Sequence, residues 1–261
     1  IAEEKTFNKI SKRIAIMDYD GNNHEYLTDG KNIAITPRFS PDGKKIAYLS
    51  FSNKKPTVYL LDLNTKKEKV LGNFSGMSFA PRFSPKGDNI VFSLTQKGSS
   101  NIYIQNLKSK KLMPVTQNKH INTSPSFSPD NEWLVFSSDR AGKQNLYIKK
   151  ATNNFKKKSK RISFGKGNYA TPVWSPRGDY IAFTKSLKNN FYIGLIKSNG
   201  KEERIIAKGY LTEGPTWSPN GRTLAFYKIE RGSNGDFISN LYSIDITGNL
   251  EQKIVTPKEA S

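Results

Sequence analysis

An all-β fold built from repeated units is predicted by three observations. The first is a phrase that recurs five times. It reads Thr36-Pro37-Arg38-Phe39-Ser40-Pro41-Asp42-Gly43, then Ala80-Pro81-Arg82-Phe83-Ser84-Pro85-Lys86-Gly87, then Ser124-Pro125-Ser126-Phe127-Ser128-Pro129-Asp130-Asn131. It returns as Thr171-Pro172-Val173-Trp174-Ser175-Pro176-Arg177-Gly178 and Gly214-Pro215-Thr216-Trp217-Ser218-Pro219-Asn220-Gly221. The second is the spacing: the Ser-Pro pairs stand at 40, 84, 128, 175 and 218, a period that marks solenoids, propellers and arrays. The third is period-2 alternation between the phrases, as in Ile46 and Tyr48 against polar neighbours, with no amphipathic helical segment.

Each unit reads as four strands. In the second, these are Pro37–Ser40, Lys45–Phe51, Thr57–Leu63 and Glu68–Leu71. The first proline opens the inner strand, where a missing N–H costs least, and the second presets the turn. Gly or Asn further along the turn tolerates positive φ. Later units repeat the pattern, with Asn89–Thr95, Asn101–Leu107 and Lys111–Thr116, then Trp133–Ser138, Asn145–Lys150 and Ser159–Phe164. The last two carry Tyr180–Lys185, Phe191–Ile196 and Glu203–Ala207, then Thr223–Lys228, Asn240–Ile246 and Gln252–Thr256. Four antiparallel strands in a unit of this length describe a propeller blade.

Residues 1–30 supply only an outer pair, Arg13–Asp18 and His24–Thr28, with Ile1–Glu4 as the tail of a preceding strand. The sequence stops at Lys258-Glu259-Ala260-Ser261, where the next phrase is due. The expectation is therefore a six-bladed β-propeller of four-stranded antiparallel blades, its first blade incomplete and its inner strand absent or lost with the C-terminus. The whole forms a single domain with units at about 1–36, 37–80, 81–124, 125–171, 172–214 and 215–261.

Composition narrows the class. Hydrophobic residues make up 35% and aromatics 11%, enough for sheets packed through aromatic rings, and no apolar run is long enough to span a bilayer. The absence of cysteine excludes disulfides, thiolate catalysis and zinc–thiolate sites, and is neutral about compartment. The chain opens at Ile1 without a charged-then-apolar leader, so any signal peptide is expected to be removed or to lie upstream. The net charge of +20 has two readings, an acidic or anionic partner, or a general Lys/Asn/Ile bias.

Three features go beyond the generic repeat: Met17-Asp18-Tyr19-Asp20-Gly21-Asn22, Ser138-Asp139-Arg140-Ala141-Gly142-Lys143-Gln144-Asn145-Leu146-Tyr147, and the ordered set of five Ser-Pro turns. With them the chain resembles, over essentially its whole length, the propeller of the TolB family of Gram-negative bacteria. Members of that family also carry an N-terminal α/β domain, which is not among these 261 residues. The resemblance implies a periplasmic protein of the Tol–Pal system, supporting outer-membrane integrity, cell division and colicin import. It implies binding to the peptidoglycan-associated lipoprotein Pal, with other Tol-system or outer-membrane proteins as further partners, peripheral membrane association through them, and a monomer. No cofactor, metal or catalytic residue is implied.

The candidate contact surface is the channel mouth formed by residues just before each inner-strand proline. These are Thr36, then Met77, Ser78, Phe79 and Ala80, then Thr123 and Ser124, then Ala170 and Thr171, and Glu213. By the resemblance, Met77, Ala80, Thr123 and Ser124 match contact positions of the family. This chain has Met77 where the family pattern carries histidine, and Ser124 where it carries an acid. The alternative is that all of these simply support the inner strands.

Other motifs favour structural readings. Asp18-Tyr19-Asp20-Gly21-Asn22 resembles the start of a calcium loop but lacks its later ligands, and an Asp-Gly turn explains it. Lys156-Lys157-Lys158-Ser159-Lys160-Arg161 has no interleaved aromatics for base stacking and reads as a solvated turn, so nucleic acid is not expected. Trp133, Trp174 and Trp217 have the spacing of inter-blade packing. His24 and His120 have no acid beside them at ligand spacing. An enzymatic alternative, the gating propeller of a prolyl-oligopeptidase-type peptidase, would need a Gly-x-Ser-x-Gly elbow; Gly76-Met77-Ser78-Phe79-Ala80 lacks the second glycine. A basic nucleic-acid-binding propeller rests on net charge alone. The sequence reads as a binding module and not an enzyme.

Overall fold

The computed structural model describes residues 12–52, 55–152, 158–232 and 234–256. Twenty-two strands and no helix occur among them. β1 (Ala15–Ile16) and β2 (Glu25–Tyr26) form a short hairpin. The first blade comprises β3 (Ala34–Phe39), β4 (Lys45–Ser50), β5 (Thr57–Asp62) and β6 (Glu68–Val70). The second comprises β7 (Met77–Phe83), β8 (Asn89–Gln96), β9 (Ser99–Asn106) and β10 (Leu112–Pro114). The third has β11 (Asn122–Phe127), β12 (Trp133–Ser138), β13 (Asn145–Lys150) and β14 (Lys160–Arg161). The fourth has β15 (Asn168–Trp174), β16 (Ile181–Leu187), β17 (Asn190–Ile196) and β18 (Arg204–Gly209), and the fifth β19 (Leu211–Trp217), β20 (Thr223–Arg231), β21 (Phe237–Asp245) and β22 (Gln252–Lys253). Every blade is an antiparallel meander in chain order.

The expectation of six blades is corrected. The described residues build five four-stranded blades, one for each Ser-Pro phrase, and the segment read as a first blade contributes only the two-stranded hairpin β1–β2. The physical reason is that the phrase carries both the kinked inner strand and the turn into its partner, and residues 12–30 contain no copy of it. The expected strand tail at Ile1–Glu4 and the terminus at Lys258–Ser261 lie outside the described residues. The hairpin sits between the first and fifth blades. Ile14 and Leu27 pack with Ala34, Ile46, Tyr48 and Leu61 of the first, and Glu25 pairs with Lys66 at 2.7 Å. On its other side the Tyr19 hydroxyl lies 3.3 Å from that of Ser243, and Gly21 abuts Val255.

Hydrophobic burial runs between blades rather than within them. One cluster joins Val58 and Leu60 to Ile90 and Phe92, the next Val91 and Ile102 to Leu134 and Phe136, the next Val135 and Leu146 to Tyr169 and Phe183, and a fourth Ala182 and Leu195 to Leu224 and Phe226. No unit buries its faces alone, so the blades fold as one ring. Trp174 belongs to the cluster of Val135 and Phe183, with Trp133 packed against it, and Trp217 packs against the cluster of Ala182 and Phe226, as their spacing predicted.

Four of the five Ser-Pro turns are braced in one way, and in the fourth blade the Ser175 hydroxyl instead accepts the Arg177 N–H at 3.1 Å. The serine hydroxyl accepts the N–H of the residue that starts the next strand: Lys45 onto Ser40 at 2.9 Å, Asn89 onto Ser84 at 3.0 Å, Trp133 onto Ser128 at 2.9 Å and Thr223 onto Ser218 at 3.1 Å. A backbone donor that would be orphaned by the turn is thereby satisfied.

The inner strands begin earlier than the prolines suggest, because residues ahead of each proline already pair with the second strand. Two residues then oppose one. Thr36-Pro37 face Tyr48, Ala80-Pro81 face Phe92, Ser124-Pro125 face Phe136, Thr171-Pro172 face Phe183 and Gly214-Pro215 face Phe226. These are β-bulges, each opposite a buried aromatic ring. In four blades that ring pairs across the sheet with a tyrosine of the third strand, at 5.7 Å for Tyr48–Tyr59, 6.4 Å for Phe92–Tyr103, 6.2 Å for Phe136–Tyr147 and 6.1 Å for Phe226–Tyr242. Blade four has Gly194 there instead. Phe183 leans into the vacated space and meets Tyr169 at 5.2 Å.

A Cβ on Gly194 would lie 2.4 Å from Phe183 Cζ and 3.1 Å from the Arg204 carbonyl oxygen. Gly194→Ala is expected to destabilise the ring by about 1–3 kcal/mol through overpacking, read as a lower midpoint in urea. An unchanged midpoint would mean Phe183 has another rotamer available.

Candidate protein-binding rim

The bulges place five equivalent residues around one mouth of the central channel. Each is the residue immediately before a proline, and each has a left-handed backbone: Thr36 (φ 55°), Ala80 (52°), Ser124 (53°), Thr171 (44°) and Gly214 (68°). Proline disfavours helical conformations at the preceding residue, and a β-branched side chain makes positive φ costlier still. Four of the five positions carry a side chain regardless. Only the fifth blade uses the residue that adopts this φ freely, and even there a Cβ would meet nothing closer than Tyr227 at 3.8 Å. The constraint is the bulge, which the strands on both sides hold in register.

Apart from Met77 and Ser78, the predicted residues take two successive register positions on the five inner strands. Phe79, Thr123, Ala170 and Glu213, with Ile35, take the position before the kink, and the kinked residues form the second row. Thr36 and Met77 are exposed, while Ala80, Thr123, Ser124, Ala170 and Thr171 are half-buried. Ser78 differs. It is buried, and its hydroxyl accepts the Val58 N–H of the neighbouring blade at 3.0 Å, so its chemistry is spent on holding two blades together. Similar ties stiffen the other side of the mouth: Ser137 donates to the Tyr169 carbonyl at 2.6 Å, and the Gly214 N–H reaches Thr184 Oγ1 at 3.3 Å. Thr184 also bonds Thr171 Oγ1 at 2.7 Å, which fixes that rim hydroxyl.

Glu213 is the one acid in these rows. Burial raises its carboxyl above the usual glutamate range, opposed by a hydrogen bond from Tyr227, its cross-strand neighbour. Burial and the nearby carboxylate push Tyr227 up to about 12.

Structural accounts hold for the remaining motifs. Asp20 accepts the N–H of Asn22 at 3.0 Å and its Nδ2 at 2.9 Å, and Asp18 accepts Asn23 Nδ2 at 2.5 Å, so the turn uses its own carboxylates. Of the basic cluster, Lys156 and Lys157 lie outside the described residues. Arg161 donates to the Ser163 carbonyl at 2.6 Å and to Asn145 Oδ1 at 2.8 Å. His120 Nδ1 does have an acid nearby, Asp139 at 3.6 Å, which spacing along the chain could not reveal. That carboxylate accepts the Ile121 N–H at 2.9 Å and serves the loop.

A family profile described as the TolB beta propeller domain matches residues 1–260. The chain belongs to the TolB beta propeller family. A curated relative, the Tol-Pal system protein TolB of Wolbachia sp. subsp. Drosophila simulans (strain wRi), is 56% identical over all of this chain. The chain spans 61% of that relative's length. The crystal structure of TolB from Acinetobacter baumannii superposes with a TM-score of 0.83 at 28% identity, over 93% of this chain and 59% of that one. The family is one of non-enzymatic propellers. The likeness to prolyl endopeptidases, at 11% identity and a TM-score of 0.55 over 93% of this chain and 46% of that one, is a likeness of fold alone.

The raised carboxyl of Glu213 makes stability depend on pH. Its folded value lies above its unfolded one, so the folded state holds the proton more tightly, and stability falls as pH rises from the unfolded value through the folded one. Glu213→Gln is expected to be more stable than wild type at about pH 8, with the difference shrinking toward about pH 4. A pH-independent difference in urea midpoint would contradict this.

Proposed function

We propose that this propeller is the partner-binding part of a periplasmic Tol–Pal component, and that its rim receives the lipoprotein Pal. The observation that carries the reading is the set of five left-handed pre-proline residues gathered at one channel mouth, in a chain of this family. Rim backbone locked by bulges and inter-blade hydrogen bonds loses little freedom on binding, so contact energy is not consumed in ordering loops. Met77 would supply an adaptable apolar contact, and Thr36, Thr123 and Ser124 polar contacts at its edge. The +20 charge would speed encounter with an acidic partner in a salt-dependent way. Through Pal, and through other Tol-system or outer-membrane proteins, the propeller would support envelope integrity and cell division, and the same rim would serve colicin import.

Ala80→Arg tests this. Ala80 already carries a Cβ at φ 52°, so arginine adds bulk and charge to the mouth without a new backbone demand. Calorimetric titration with purified Pal is expected to show binding to the wild type and none to a variant that melts like it. Undiminished affinity in the folded variant would overturn the rim assignment.

A further inference from the structure

At the mouth opposite the rim, where the Ser-Pro turns converge, the channel opens into a cavity of about 510 Å³. Its wall includes one register-equivalent position from each inner strand, two residues beyond the kink: Arg38, Arg82, Ser126, Val173 and Thr216. Three blades fill the position with uncharged side chains, and Ser126 uses its hydroxyl to accept the Trp174 N–H of the next blade at 3.1 Å. The first two blades place guanidinium groups there, side by side in the ring.

Neither arginine has an acid. Among the described residues no carboxylate pairs with Arg38 or Arg82, and Arg38 has only the Pro37 carbonyl of its own strand, at 2.8 Å from Nη1. Both side chains are half-buried, and charges withdrawn from water are ordinarily paired. Burial pushes Arg38 down to about 10 and Arg82 well below the usual arginine value, with the charge of Arg38 adding to the effect on Arg82. A guanidinium nonetheless stays protonated at neutral pH. The two half-buried side chains therefore present partly desolvated, mutually repelling charge to a cavity large enough for a small organic molecule. The same wall holds Trp174, whose indole N–H is buried without a hydrogen-bond partner.

We propose that the turn-side end of the channel is a binding site for a compact oxyanion, a phosphate or carboxylate group, held between Arg38 and Arg82. Such a group would neutralise both charges at once, and its oxygens match the guanidinium fork bidentately. The apolar wall around the arginines suits a ligand whose body is small and uncharged. This site is separate from the rim and does not depend on which protein the rim receives.

The test is calorimetric titration of the protein with inorganic phosphate and, separately, with succinate, each at ionic strength held constant with sodium chloride. Saturable one-to-one binding of either anion is expected, and the anion that binds assigns the class. Arg38→Gln and Arg82→Gln are each expected to weaken it about tenfold or more, whereas Lys201→Gln, which removes an exposed charge elsewhere, leaves it unchanged. Thr216→Glu guards against variants that fail to fold. A carboxylate built into the same ring of side chains should abolish anion binding while raising the melting temperature. Absence of saturable binding by both anions, or wild-type affinity in Arg38→Gln and Arg82→Gln, would overturn the proposal.

Discussion

A left-handed residue directly before a proline is an unfavourable conformation, and the ring adopts it five times at one position. Its cost is sustained by what it makes possible. The kink lets two inner-strand residues oppose a single buried aromatic ring. Strain held in place by surrounding packing is characteristic of binding surfaces, because the geometry is fixed before a partner arrives. Here the packing that holds it is the aromatic pair beneath each kink and the apolar seam between neighbouring blades.

The same inner strands give the channel two dissimilar ends. Before the proline they present small, hydroxyl and apolar side chains, with Glu213 as the lone acid of the two rim rows. After it they present Arg38 and Arg82 on one side and uncharged residues on the other. Because all five inner strands contribute to the wall of one cavity, a single substitution at a lining position changes a shared space. The excess of lysine is spread over the turns and bathes the whole molecule in positive potential, which favours anions in the channel and acidic surfaces at the mouth alike.

Much of this was legible in the sequence, for a local reason. The Ser-Pro phrase encodes a strand and the turn after it within eight residues, and each of its five copies falls in one four-stranded blade. The count of six, with an incomplete first blade, does not hold because the outer pair at β1–β2 has no copy of the phrase that builds an inner pair and forms a hairpin among the described residues. The start of each inner strand was missed because proline looked like its first residue, and pairing across a bulge leaves no mark in hydrophobic periodicity. Gly194 could be seen only as a glycine in a strand; that it makes room for Phe183 depends on the ring across the sheet. The unpaired state of Arg38 and Arg82, and the approach of Asp139 to His120, are facts about distant residues and have no local signature.

The account stands on the claim that the kinked mouth is where a partner sits. Hydrogen exchange of the propeller alone and saturated with Pal, read peptide by peptide, addresses that claim directly. The account predicts slowed exchange in the segments around Met77–Ala80, Ile121–Ser124 and Asn168–Thr171, with the Ser-Pro turns and outer strands unchanged. Protection confined to the outer strands or to the turn-side end of the channel would contradict it.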